Sequence, residues 1–197
     1  TEKQYLTRIY TRTIGNQAKP AIYSLNLKSR HLLRQHKDVN VSLLNRLYRE
    51  KQRSQGFIDH CILLGDIFVA LNTFTKTNQA TLHFSTKTEL TGMKYMILPT
   101  PDAYFAIEEA SGIIKRYFLE VVDAGVPRFV LRKRIQQYLD YYEARYWQNH
   151  TEHPFPEIML VCPNKPLLNF LHKYIAEVIE DNGEDISFYL TTKDTIK

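Results

Sequence analysis

A chain of 197 residues that is 44% hydrophobic and 12% aromatic is long enough for one large domain or two small ones, and its apolar content excludes a disordered or low-complexity protein. The net charge of +5 is unevenly spread: residues 1–54 hold 12 Lys and Arg against 3 Asp and Glu, and the remainder holds 14 against 18. A basic front on a mildly acidic body suits an anionic partner, of which nucleic acid is the commonest.

Two cysteines, Cys61 and Cys162, lie far apart in apolar runs and read as buried thiols of a reducing compartment. No stretch reaches the ~20 apolar residues that span a bilayer, and no signal peptide is visible. A cytoplasmic protein without a membrane partner is the expectation.

In chain order, "KQYLTRIYTR" and "KPAIYSLNLKSRHLLRQ" read as strand, turn, strand, helix, with Gly15-Asn16-Gln17 as the turn and Asn26 or Ser29 as the cap of a helix near 28–36. A basic hairpin leading into a short helix has the form of the wing of a winged-helix domain. The recognition helix is expected upstream of residue 1. Residues 41–53 read as a helix with a basic outer face, broken by Ser54-Gln55-Gly56. The run 57–74 is apolar nearly all round, which predicts a buried helix. Strands follow at 80–90, 103–108 and 114–122, the last two joined at Glu109–Gly112. Pro127 opens a helix over 128–147, on which Leu131, Ile135, Tyr138, Leu139, Tyr142 and Tyr146 recur at helical spacing. A strand at 156–163, a helix at 166–181 ended by Asn182-Gly183, and a strand at 186–192 complete the chain. The order α-β-β-β-α-β-α-β from residue 57 predicts an α/β (α+β) domain, a mixed sheet flanked by helices. The boundaries are a winged-helix remnant at 1–40, a basic linker helix at 41–56 and the α/β domain at 57–197.

Asp102 follows Pro101 at the start of one hairpin strand, and Glu120 lies on the other. On adjacent antiparallel strands the two carboxylates fall at the same end of the hairpin. There they repel unless they share a cation or a proton. Two oxygen donors on rigid strands suit Mg²⁺, which activates water and steadies charge on a scissile phosphate. On the helix that follows, a helical wheel turns Lys133 to solvent and Arg134 to the border of the buried stripe, so Arg134 is the better candidate among the basic residues to reach the carboxylates. Arginine stays protonated and clamps phosphate or carboxylate.

The hairpin resembles that of the PD-(D/E)xK nuclease-like fold, with Asp102 and Glu120 in its two acidic places and Val122 where its lysine stands. More widely, "FIDHCILLGDIFVAL", "PDAYFAI", "YFLEVVDAG", "LRKRIQQYLDYY" and "PEIMLVCP" after a wing-like front resemble the replication-relaxation family of plasmids and other mobile elements. That resemblance implies a winged-helix front, a nuclease-like core and a role in plasmid replication, DNA relaxation or mobilisation. It maps the family's histidine onto His60, its later acid onto Asp123, and its Lys and Tyr onto Arg134 and Tyr138. The catalytic set so implied is Asp102, Glu120, Arg134 and His60, with Mg²⁺ on Asp102 and Glu120. The expected function is a DNA-binding accessory protein with a degenerate nuclease-like domain. It grips DNA phosphates through Arg8, Arg12, Lys19 and Arg30 and docks a relaxase, a replication protein or a second copy of itself as a homodimer. The alternative is a metal-dependent DNA endonuclease. His150 and His153, three apart with no nearby Cys and no third ligand of suitable spacing, are weak evidence for zinc; Asp59 and Asp66, seven apart on one helix face, read as capping or solvent-exposed residues ahead of help in binding a metal.

Overall fold

The computed structural model describes residues 4–9, 21–37, 39, 41–45, 53–182 and 185–196. The chain divides into two compact units, Thr1–Ile58 and Asp59–Lys197.

In the first unit, β1 (Leu6–Ile9) pairs antiparallel with β2 (Ile22–Leu25), which sets Arg8 opposite Tyr23. The Arg8 guanidinium carbon lies 5.9 Å from the tyrosine ring centre, a cross-strand cation–π contact. The turn at Gly15-Asn16-Gln17, with Arg12 and Lys19, lies outside the described residues. Helix α1 (Ser29–Leu33) starts after Lys28 without a side-chain cap. Asn26 and Ser29 hold the strand-to-helix corner instead: Asn26 Nδ2 donates to Thr7 Oγ1 at 3.1 Å, and Ser29 Oγ donates to the Asn26 carbonyl at 2.6 Å. A short α2 covers Val41–Leu44. Of the expected basic helix, 46–52 lie outside the described residues.

Helix α3 (Gln55–Thr77) starts earlier than expected, because Ser54 Oγ accepts the Phe57 N–H at 3.2 Å and the Ser-Gln-Gly segment is a cap and first turn. The second unit is a five-stranded mixed sheet in the order β3-β4-β5-β6-β7. Strands β3 (Thr81–Thr86), β4 (Ala103–Glu108) and β5 (Ile114–Val121) are antiparallel neighbours. Strands β6 (Glu157–Cys162) and β7 (Phe188–Thr192) add in parallel, each after a helical crossover. The crossovers are α5 (Arg128–Glu143) with α6 (Tyr146–Thr151), and α7 (Lys165–Asn182). The predicted single helix over 128–147 breaks at Arg145, whose φ of 50° is left-handed.

Alternation along the strands gives each sheet face its own core. Phe118, Ile158, Leu160 and Cys162 pack with Leu131, Ile135, Tyr138, Leu171 and Ile175 of α5 and α7. Phe105, Leu119, Val121 and Val161 pack on the other face with Ile67, Leu63, Leu64 and Leu71 of α3. The expectation that α3 is buried all round fails. Only Ile67 and Thr75 are fully buried, and Phe68, Val69 and Phe74 are 41%, 60% and 56% exposed, because one stripe suffices to cover the sheet. Cys61, on the same helix, is exposed rather than buried. By length and composition alone α3 also passes as a membrane span, contrary to the sequence expectation. It nonetheless carries Asp59, His60, Asp66 and Lys76 and commits a face to the sheet.

The strand predicted at 80–90 ends at Thr86, where the chain turns into a helical turn, α4 (Lys87–Leu90). Thr86 and Glu89 form a reciprocal capping box, with Glu89 Oε2 accepting the Thr86 N–H at 2.7 Å.

Candidate functional site

The hairpin register puts Ala103 opposite Leu119, and the Asp102 N–H donates to the Leu119 carbonyl at 3.0 Å, so Asp102 stands across from Glu120. Asp102 is nearly buried at 9% exposure. Its Oδ2 accepts the Val121 N–H at 2.9 Å, and its carbonyl accepts the Lys87 N–H at 2.8 Å. Its Oδ1 faces His60 Nε2 at 3.4 Å and Lys87 Nζ at 3.6 Å. His60 Nδ1 lies 3.0 Å from Asp123 Oδ1, so each ring nitrogen faces a carboxylate. His60 gets there because α3 lays its inner stripe on the sheet one turn before Leu63 and Leu64.

Glu120 shares strand parity with Phe118 and therefore faces α5. Its Oε1 accepts from Arg134 Nε at 3.0 Å, from Arg134 Nη2, and from the Tyr138 hydroxyl at 2.6 Å. Arg134 Nη2 also donates to the Tyr138 oxygen at 3.2 Å. Its guanidinium carbon sits 4.5 Å from the Tyr138 ring centre. Burial pushes the Glu120 carboxyl up, and the nearby Asp102 charge adds to it, against the opposing pull of Arg134 and the Tyr138 hydroxyl. Burial, then the Glu120 charge, drives the Tyr138 phenol well above its ordinary range. Burial works against the Arg134 charge, but Tyr138 and Glu120 outweigh it and raise its pKa. One guanidinium nitrogen, Nη1, is buried with no hydrogen-bond partner.

Beside these groups, at the carboxyl ends of β5 and β6, lies a cleft of about 360 Å³. Lys87, Glu120, Asp123, Lys133 and Arg134 line it, along with Pro99 and apolar side chains of α5.

The structure thus brings Asp102, Glu120, His60 and Arg134 into one neighbourhood, together with Asp123 and Tyr138. Arg8 and Arg30 lie in the first unit. Lys87 is the residue that sequence reasoning missed. Its stretch reads as strand in the sequence, although the Thr86-x-x-Glu89 capping signature marks a turn there. His150 is taken up by the Tyr146 carbonyl at 2.8 Å, and among the described residues no three His, Cys, Asp or Glu stand together as a metal cage. Basic side chains already stand beside each of the two central carboxylates, His60 and Lys87 beside Asp102 and Arg134 beside Glu120.

Residues 1–158 match the family model described as replication-relaxation. The chain belongs to the replication-relaxation family. That membership suggests a role in the replication or relaxation of a plasmid or other mobile element. No match is found among curated proteins or among solved structures. The replication-relaxation match spans the first unit and the sheet as far as β6, so all the groups described around Asp102 and Glu120 fall inside it.

Proposed function

We propose that the chain is a DNA-binding accessory protein of plasmid or mobile-element replication, relaxation or mobilisation, whose second unit is a platform rather than a nuclease. The observation that carries this reading is the charge of residues 1–54, 12 basic against 3 acidic, in a member of the replication-relaxation family. Arg8, Arg12, Lys19 and Arg30 are the proposed phosphate contacts. About four such contacts give a log–log salt slope of roughly −3.6. A relaxase, a replication protein or a second copy docks on the second unit. Supporting the platform role, Asp102 is held by Lys87 and His60, and Glu120 by Arg134 and Tyr138.

A second reading, a Mg²⁺-dependent DNA endonuclease using Asp102 and Glu120, draws on Lys87, which supplies beside Asp102 the lysine that Val122 does not. Incubating pure protein with supercoiled plasmid and Mg²⁺ or Mn²⁺, with Asp102→Ala alongside, separates the two. The accessory reading expects intact plasmid that shifts on a gel at low salt and loses the shift as salt rises. Nicking that disappears in the variant would establish the endonuclease. Affinity that ignores salt would sink both.

A further inference from the structure

Helix α5 breaks a rule of helix stability. Its first turn holds no acidic residue, and Arg128, Arg132, Lys133 and Arg134 all precede its first acid, Asp140. Cations at a helix N-terminus oppose the helix dipole, so this arrangement is unfavourable for the fold. Among the described residues, Arg128, Arg132 and Lys133 have no carboxylate at ion-pair distance. Two of them are held in place by rings of α7: Arg128 lies 4.6 Å from the Phe170 centre, and Arg132 lies 5.3 Å from both Phe170 and Tyr174. A guanidinium lying on a ring face keeps its N–H edges open to an anion. In the midst of these cations stands Phe129, 71% exposed, with Arg132 three and Lys133 four residues further along the same helix face. Lys133 also lines the cleft beside Glu120.

We infer that the N-terminal half of α5 is a contact site for single-stranded DNA, with a base stacked on Phe129 and flanking phosphates on Arg128, Arg132 and Lys133. A polyanion answers the cations, and an unpaired base answers the ring. Bases inside a duplex have no open face for an aromatic side chain on a convex helix, whereas a single strand offers one at every nucleotide. Arg128 to Lys133 rise about 8 Å along the helix, and Asp140 and Glu143 close the patch beyond them, so the site takes only a few nucleotides. The inference rests on the DNA reading above for its setting, but on other residues and another unit.

Fluorescence anisotropy of the full chain with labelled oligo-dT, with a duplex of equal length and with an oligo-glutamate peptide tests it. Phe129→Ala is expected to weaken oligo-dT binding about fivefold or more, to leave duplex binding within about twofold, and to be rescued by Phe129→Trp. An unchanged oligo-dT affinity, or an equal loss on duplex, overturns the inference while leaving the DNA reading intact. Oligo-glutamate bound as tightly as oligo-dT overturns it in favour of an acidic protein segment. If duplex never binds yet oligo-dT binds and needs Phe129, this site stands and the basic front loses its role.

Discussion

Replacing Arg134 leaves a buried carboxylate without its cation. Glu120 is 17% exposed and Arg134 14%, so neither charge can turn to bulk water. Breaking one side of such a pair costs about 3 kcal/mol, whereas replacing both sides with apolar residues costs far less. Arg134→Met is therefore expected to lower the denaturant midpoint strongly, and Glu120→Leu with Arg134→Met to recover much of the loss. Equilibrium urea unfolding with an unchanged m-value checks this, and additive single losses would disprove it. Asp102 asks for a gentler substitution than alanine, since its Oδ2 satisfies the Val121 N–H. Asparagine keeps that acceptor while removing the charge.

Among the elements, α3 shows how one apolar segment carries two kinds of position. Ile67 is 4% exposed against the sheet, and Val69 is 60% exposed on the outer side. Ile67→Ala is expected to cost about 3 kcal/mol, and Val69→Ser to stay within about 0.5 kcal/mol, both read from thermal or urea melts. Equal costs would mean that the outer side is covered in solution. Periodicity in the sequence predicted β4, β5, β6, β7 and α7 closely, because strands that pair with neighbours and helices bounded by prolines or glycines carry their own signals. It misjudged α3, because hydropathy counts apolar residues and does not say how many faces will be covered. It read through Lys87 because the alternation of "ATLHF" was carried on into the polar run "STKTE", where a single capping pair decides for a turn. The wheel placed Arg134 toward Glu120, since one buried stripe fixes the rotation of α5. What no local pattern shows is the meeting of His60 with both Asp102 and Asp123, which depends on how α3 lies across the sheet.

For the whole molecule, the phenols set an alkaline limit. Burial pushes Tyr117 up to about 12, Tyr138 well above its ordinary value, and Tyr141 upward as well. In the unfolded chain these groups ionise near 10, so above that pH the unfolded state has shed protons that the folded state still binds. Their contribution to stability is complete below about pH 10 and is lost as the pH rises through the folded values. Ionisation of these three phenols is expected to coincide with unfolding, seen as phenolate absorbance that rises together with the loss of circular dichroism. A single smooth titration without loss of circular dichroism would contradict it.

The mixed sheet also orders the chain in time. Once Val121 has left the ribosome, β3, β4 and β5 have every antiparallel partner they will ever need. The parallel half waits, because β6 sits beside β5 only after α5 and α6 have been made, and β7 arrives only after α7. Until then Ile158, Leu160 and Cys162, which end fully covered, have α7 and β7 still to come. Synthesis from the N-terminus thus completes the Asp102–Glu120 hairpin early and leaves the far edge of the sheet as the segment most open to mispairing with another nascent chain.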